Sequence, residues 1–213
     1  NLRIEDMAQV SKLNIDGRRV TGVTYTREGA THTASCDVAV LSSGVYHSPQ
    51  ILQLSGIGPE DELSRLGVPV VHSLPGVGEN YQDHAAVNLI FEALTDFTPD
   101  WVVAGFQLLY KSNASLPNAN FHLYMRAPIQ VEGLKTMMPV AINMVEMHGR
   151  GRVWMRSTDI TELPIIDDGM LQHPKDVEQM VTAMRYMANF MDHRTMAPYF
   201  GKILQPVDGE DWG

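Results

Sequence analysis

The chain has 213 residues, 44% of them hydrophobic, so it can bury a sizeable core in one or two domains, which excludes a disordered chain. A formal net charge of −9 with no Lys/Arg cluster excludes nucleic acid and anionic membrane surfaces as main partners, because a phosphate backbone demands a concentrated basic field. The single cysteine, Cys36, excludes an internal disulfide and a paired-cysteine zinc site and favours a reducing, cytoplasmic setting, while no apolar run reaches the roughly 20 residues of a membrane span.

Residues 8–15 alternate between apolar and polar and lead into Asp16-Gly17, a hairpin signal because both positions tolerate positive φ. A second alternating run over 20–26 ends in Glu28-Gly29, and a third over 31–37 completes an antiparallel meander. Val38-Ala39-Val40-Leu41 lacks polar alternation and predicts one strand buried on both faces, as in a parallel sheet. Ser48-Pro49 supplies an N-cap and a first helical residue for a short helix over 50–54, which stops at Ser55-Gly56. Pro59 opens another helix with Glu60, Asp61 and Glu62 in its first turn; Gly67 closes it, and a short strand follows over 68–71. Pro75-Gly76-Val77-Gly78 is a loop whose glycines permit close backbone approach.

Beyond that loop, residues 86–93, 119–126, 139–147 and 152–156 are strand candidates, with a helix over 101–111 between the first two. Met180, Met184, Met187 and Met191 fall at helical spacing within 175–192, and Val177, Val181 and Ala188 fill out the same broad face, so a long helix is expected to pack on a sheet. The expected class is α+β: a β-meander plus one buried strand, joined to a mainly antiparallel sheet with a long helix on one face.

Few residues announce chemistry by themselves. No two histidines stand at i, i+4 spacing and Asp167-Asp168 is an isolated pair suited to a turn, so no metal site is expected. Ser42, Ser43 and Ser55 lie near glycines, but none sits in a Gly-x-Ser-x-Gly elbow. His47, His122 and His148 read as structural or surface residues. A buried strand ending in small residues lets backbone approach a nucleotide, which points only to some nucleotide or small-ligand site.

The run Val38-Ala39-Val40-Leu41-Ser42-Ser43-Gly44-Val45-Tyr46-His47-Ser48-Pro49-Gln50-Ile51-Leu52-Gln53-Leu54-Ser55-Gly56-Ile57-Gly58-Pro59 resembles a signature of the glucose-methanol-choline (GMC) oxidoreductases. Leu66-Gly67-Val68-Pro69-Val70-Val71 and Leu74-Pro75-Gly76-Val77-Gly78-Glu79-Asn80-Tyr81-Gln82-Asp83-His84 resemble the next family block, in the right order and at the right distance. More weakly, residues 1–23 resemble the family's pre-signature hairpin, residues 149–167 its substrate-domain strand pair, and residues 170–176 the lead into its long helix.

The resemblance implies that residues 1–85 are the C-terminal portion of an FAD-binding domain with its connecting loop, and 86–213 a substrate-binding domain. It implies that Val10, Ser42, Ser43, Gly44, Asn80, Asp83 and His84 lie along the flavin, Val10 through its main chain at the adenine end. The implied parent enzyme moves hydride from the CH–OH group of a small alcohol, choline included, to FAD. Val45, Tyr81 and Ala85 depart from the family's usual small residue, Leu and Pro, and alter the pocket's shape. The family's Gly-x-Gly-x-x-Gly fingerprint and its His-Pro-x-Gly-Thr segment, whose histidine deprotonates the alcohol, have no counterpart in these residues. His173-Pro174 continues as Lys175-Asp176 and does not replace that segment, so no catalytic residue is assigned. The chain alone is expected to be inactive, to hold FAD weakly or not at all, and to self-associate through the apolar edge at 38–41. Asn1 opens directly on a patterned segment and the chain closes on a polar run, so both ends are expected to be cuts. Two further readings stand beside this one: a small-molecule-binding or structural module without redox chemistry, and a hydroxynitrile-lyase-like member.

Overall fold

A computed structural model describes residues 2–95 and 107–205. The contacts separate into two compact units, Asn1–Gln82 with Arg150–Gly169, and Asp83–Gly149 with Met170–Gly213. The chain therefore does not divide once, near residue 85: a downstream stretch returns to the first unit.

The elements up to the first boundary are β1 (Gln9–Asp16), β2 (Arg19–Arg27), β3 (Ala30–Ser35), α1 (Gly44–Leu54), β4 (Ile57–Gly58), α2 (Glu60–Arg65), β5 (His72–Ser73) and β6 (Glu79–Tyr81). The middle stretch forms β7 (Ala85–Ala93), β8 (Gln107–Tyr110), β9 (Phe121–Met125) and β10 (Met137–Met144). Then come β11 (Gly151–Trp154), β12 (Ile165–Asp167), α3 (Pro174–Met191) and β13 (Phe200–Gln205). The α+β class with mainly antiparallel sheets is what forms.

In the first unit β1, β2 and β3 make the expected meander, turning at Gly17 with φ +58° and at Glu28-Gly29 with φ +51° and +76°. In β1, Val10 faces Tyr25 and Lys12 faces Thr24, so Ser11 is the extra residue of a bulge. Residues 38–41 do not form the expected buried strand: Val38 and Val40 are 77% and 82% exposed. A parallel strand exists only with neighbours to bond, and none of the described strands supplies one there.

Helix α1 begins six residues earlier than expected, with Ser43 at its N-cap and Pro49 inside it. Ser48 is thus not the cap; its Oγ instead accepts the Ser43 N–H at 3.1 Å. α2 follows Pro59 and ends before Gly67 at φ +68°, as its acidic first turn and glycine stop imply. The strand expected over 68–71 is displaced to β5, parallel to β4. The reason is local: Val68 N–H returns to the Leu63 carbonyl at 2.9 Å, which closes the helix, and the Gly56 carbonyl accepts both Val71 N–H at 2.8 Å and His72 N–H at 3.1 Å. β11 lies between β12 and β6 in a small antiparallel sheet, which is how the downstream stretch joins this unit.

The second unit is a five-stranded antiparallel sheet in the order β13-β7-β10-β9-β8. Central β10 buries Met138, Val140, Ile142 and Met144 with Leu89, Phe91, Phe121 and Leu123, and α3 brings Met180, Ala183, Met187 and Met191 into the same core. Each of these large side chains contributes about 1.5–3 kcal/mol by leaving water. The buried stripe is narrower than the periodicity implies, since Val177 is exposed and Met184 half-buried. Of the helix expected over 101–111, residues 101–106 lie outside the described residues, while Gln107, Leu108, Leu109 and Tyr110 alternate outward and inward as strand β8. No helix among the described residues is long and apolar enough to cross a membrane.

Candidate functional site

Ser42, Ser43 and Gly44 form the entry to α1. Gly44 sits at φ +82°, and among the described residues no atom beyond its chain neighbours and the helix's own backbone lies within 4 Å of the place its Cβ would take. The Ser43 side chain makes no cap bond, so among the described residues no cap takes up the first N–H groups at the positive end of α1. One turn along, the Tyr46 hydroxyl lies 3.0 Å from that of Tyr81, and the two rings stack with centroids 5.9 Å apart. This fastens β6 beside that end of α1 and brings in Asn80, held at φ +63° next to Tyr81. Asn tolerates that left-handed conformation better than most residues.

Val10 is linked to this turn less directly. It belongs to β1 beside the Ser11 bulge, and β1 is tied to the opposite end of α1, where Ser55 Oγ accepts the Leu13 N–H at 2.8 Å. Asp83 and His84 belong to the second unit; both are exposed, and Asp83 Oδ1 accepts the His84 N–H at 2.7 Å, which sets the local turn. Five of the seven sequence-derived residues thus share the first unit, with Ser42, Ser43, Gly44 and Asn80 at one end of α1.

Much of the long sequence pattern around this turn does a different job. Gln50 and Gln53 are each only 1% exposed. Gln53 Oε1 accepts the Met155 N–H at 2.8 Å, and its Nε2 donates to the Val153 carbonyl at 3.3 Å. Gln50 Nε2 donates to the Glu162 carbonyl at 2.9 Å. Gly78, at φ +84°, lies so close to β11 that a Cβ would run into the Val153 carbonyl oxygen and sit 2.9 Å from Gln53 Nε2. The close approach expected of this loop is therefore one of backbone to backbone. Sequence reasoning missed both glutamines; the available signal was two amides at i, i+3 among Ile51, Leu52 and Leu54 in the otherwise apolar end of the helix.

A second polar cluster, also missed, joins His148, His173 and Asp176. Asp176 is fully buried; its Oδ1 accepts the His148 N–H at 2.8 Å and lies 3.0 Å from His148 Nδ1, and its Oδ2 accepts the Gly149 N–H at 2.7 Å. Burial pushes the Asp176 carboxyl up, but the two main-chain donors and the His148 ring outweigh it and hold the group below the usual carboxylate value. His173 caps α3 by accepting the Lys175 N–H on Nδ1 at 3.3 Å. Potential ligand atoms of the three side chains lie within 4.8 Å of one another. The imidazoles, however, are stacked 5.2 Å apart at 18°, so their in-plane lone pairs do not converge on one ion. The cluster is a clasp between a loop and the start of α3.

The five-stranded sheet has a third region of interest, the face turned away from α3. Alternation opposite Val140, Ile142 and Met144 places Ala141 and Asn143 there, with Asn88 on β7, His122 and Tyr124 on β9 and Gln107 on β8. Asn143 Nδ2 donates to the Tyr124 hydroxyl at 3.0 Å, and Gln107 Nε2 lies 3.4 Å from His122 Nδ1. The Arg126 guanidinium stands 5.9 Å from the Tyr124 ring centroid.

A family profile described as GMC oxidoreductase matches residues 1–86. Oxygen-dependent choline dehydrogenases of Staphylococcus aureus are 30% identical over 237 aligned residues, which cover 97% of this chain and 41% of theirs. Both matches point to a fragment of a GMC oxidoreductase. It spans about two-fifths of the length of the curated GMC relatives, 41% of each. Its fold is shared with pyridoxine 4-oxidase from Mesorbium loti, at a TM-score of 0.86 and 20% identity over 96% of this chain and 42% of that one. It is also shared with a fungal aryl-alcohol oxidase, at a TM-score of 0.76 and 17% identity over 94% of this chain and 46% of that one. The GMC signature is thus seen to combine two things, an uncapped turn at Ser42–Gly44 and the buried glutamines and glycines that fix that helix in place.

Proposed function

We propose that the protein is an FAD-dependent oxidoreductase acting on the CH–OH group of a small alcohol, with the first unit lining the flavin and the second forming the substrate domain. The observation that carries this reading is the Ser42–Gly44 turn: open space over Gly44 and uncapped helix donors, in a chain that matches the GMC profile. These features fit a polar or anionic group of the cofactor. FAD, when bound, supplies the hydride acceptor. The residues proposed to hold it are Ser42 and Gly44 through main-chain donors, Ser43 through the hydroxyl that makes no cap bond, Val10 through its main chain beside the bulge, and Asn80 beside Tyr81. Asp83 and His84 are proposed for the same cofactor on sequence likeness. No residue described here is assigned the proton transfer from the alcohol.

The test uses the full-length protein. Its flavin absorbance is expected to bleach anaerobically on adding small alcohols, and an intact flavin spectrum that no CH–OH donor bleaches would overturn the assignment. The 213-residue chain alone is expected to be colourless and without turnover.

That isolated chain is also proposed to self-associate, because Val38 and Val40 lie open at 77% and 82% exposure. Sedimentation is expected to show oligomers that Val40→Lys shifts to monomer; a monodisperse monomer at high concentration would refute this.

A further inference from the structure

Resting on the alcohol-oxidoreductase reading, we propose that the open face of the five-stranded sheet selects an uncharged, hydrogen-bonding alcohol and discriminates against a quaternary-ammonium alcohol. The polar side chains at the centre of this face, Tyr124, Asn143, His122, Gln107 and Asn88, are amides, a phenol and an imidazole rather than carboxylates. Two of them are already paired in a way that fixes their orientation. Asn143 Nδ2 is committed to the Tyr124 hydroxyl at 3.0 Å, and its Oδ1 is buried without a hydrogen-bond partner. The pair can therefore take one more donor, which an O–H or N–H group of a neutral substrate offers.

A quaternary ammonium asks for something else. It carries no N–H, and proteins hold it with the faces of several aromatic rings, a carboxylate, or both. On this face the ring of Tyr124 already has the Arg126 guanidinium 5.9 Å from its centroid, and that positive charge repels a second cation. The carboxylate on this side of β7, Glu92, is nearly buried and ion-paired with Lys135. No other carboxylate stands on this face among the described residues of β7, β8, β9 and β10. Arg126 is itself exposed and makes no carboxylate ion pair among the described residues, so its charge is not cancelled locally.

The experiment measures anaerobic flavin reduction in the full-length flavoprotein with three matched alcohols: an uncharged one, choline, and one bearing a carboxylate. The uncharged alcohol is expected to be favoured over choline by about tenfold or more in the ratio of reduction rate to Kd. Tyr124→Phe and Asn143→Leu are expected to weaken the uncharged alcohol's Kd by about tenfold each. Flavin content and thermal melting of both variants are expected to match the parent, which separates a binding role from loss of fold. Arg126→Gln alters an exposed side chain and is expected to narrow the gap against choline. Preference for choline or for the carboxylated alcohol overturns the inference while leaving the oxidoreductase reading intact, as does an unaltered Kd in both sheet variants. Failure of all three alcohols to reduce the flavin removes the reading on which the inference rests, and the inference with it.

Discussion

Gly78→Ala is expected to lower the unfolding free energy by about 4 kcal/mol in urea titration, enough to unfold a marginal domain. Two effects add. At φ +84° an alanine carries left-handed strain of roughly 1–2 kcal/mol. Its Cβ would also collide with the Val153 carbonyl, and the loop cannot simply retreat, because the Val153 N–H donates to the Gly78 carbonyl at 2.7 Å and Gln53 Nε2 lies 2.9 Å from the new carbon. Moving away breaks buried hydrogen bonds, each costing about 1–3 kcal/mol when a partner is left unmatched. Gly76, two residues earlier, is the control: among the described residues no atom beyond its chain neighbours lies within 4 Å of its Cβ position, and no positive φ is required there. Gly76→Ala is expected to stay within about 0.5 kcal/mol of the parent. Equal effects at the two positions would show that close approach to β11 is not what the second glycine provides.

The second large effect belongs to Asp176. Asp176→Ala strands the buried Gly149 N–H and the part-buried His148 N–H and removes an acid from the first turn of α3, so a loss of about 3 kcal/mol is expected. The same group sets an acid limit. Its pKa is lower in the folded than in the unfolded chain, where a carboxylate titrates near about 3.9. The stabilisation is therefore complete above the unfolded value and is lost as pH falls through the folded one, below roughly pH 4. Asp176→Asn, compared with the parent by thermal melting across that range, is expected to show a smaller acid-induced drop. Parallel curves for the two proteins would exclude Asp176 as the titrating group.

The parts legible in the sequence are those whose cause is local. Gly17 and the pair Glu28-Gly29 take positive φ, and the chain turns there. Glu60, Asp61 and Glu62 followed by Gly67 mark both ends of α2, and the methionine spacing finds α3. The misplacements all depend on partners. Residues 38–41 have the composition of a buried strand, but pairing decides whether a strand exists. Pro49 suggests a helix start, yet the turn at Ser43-Gly44 sets it earlier. The segment 107–110 continues an apolar stretch that suits a helix, and pairing with β9 makes it a strand. The site was legible as a stretch of sequence rather than as a geometry. Ser42, Ser43 and Gly44 follow from the pattern, whereas the buried roles of Gln50, Gln53 and Asp176 depend on residues 24 to 112 positions away in sequence.

Those separations bear on synthesis. Gln53 waits for Val153 and Met155, about a hundred residues later, before its amide is fully paired, and the sheet of the second unit waits for β13 to flank β7. Neither unit can close on the ribosome while only its first part has emerged. The first unit draws on residues as late as 169 and the second on a strand at 200–205, and the intervals expose apolar helix and strand surfaces to misassembly. High contact order of this kind slows the search for the native arrangement. Chaperone dependence during expression, and slow recovery after denaturant removal, are the kinetic counterparts of a helix whose anchors are encoded so far downstream.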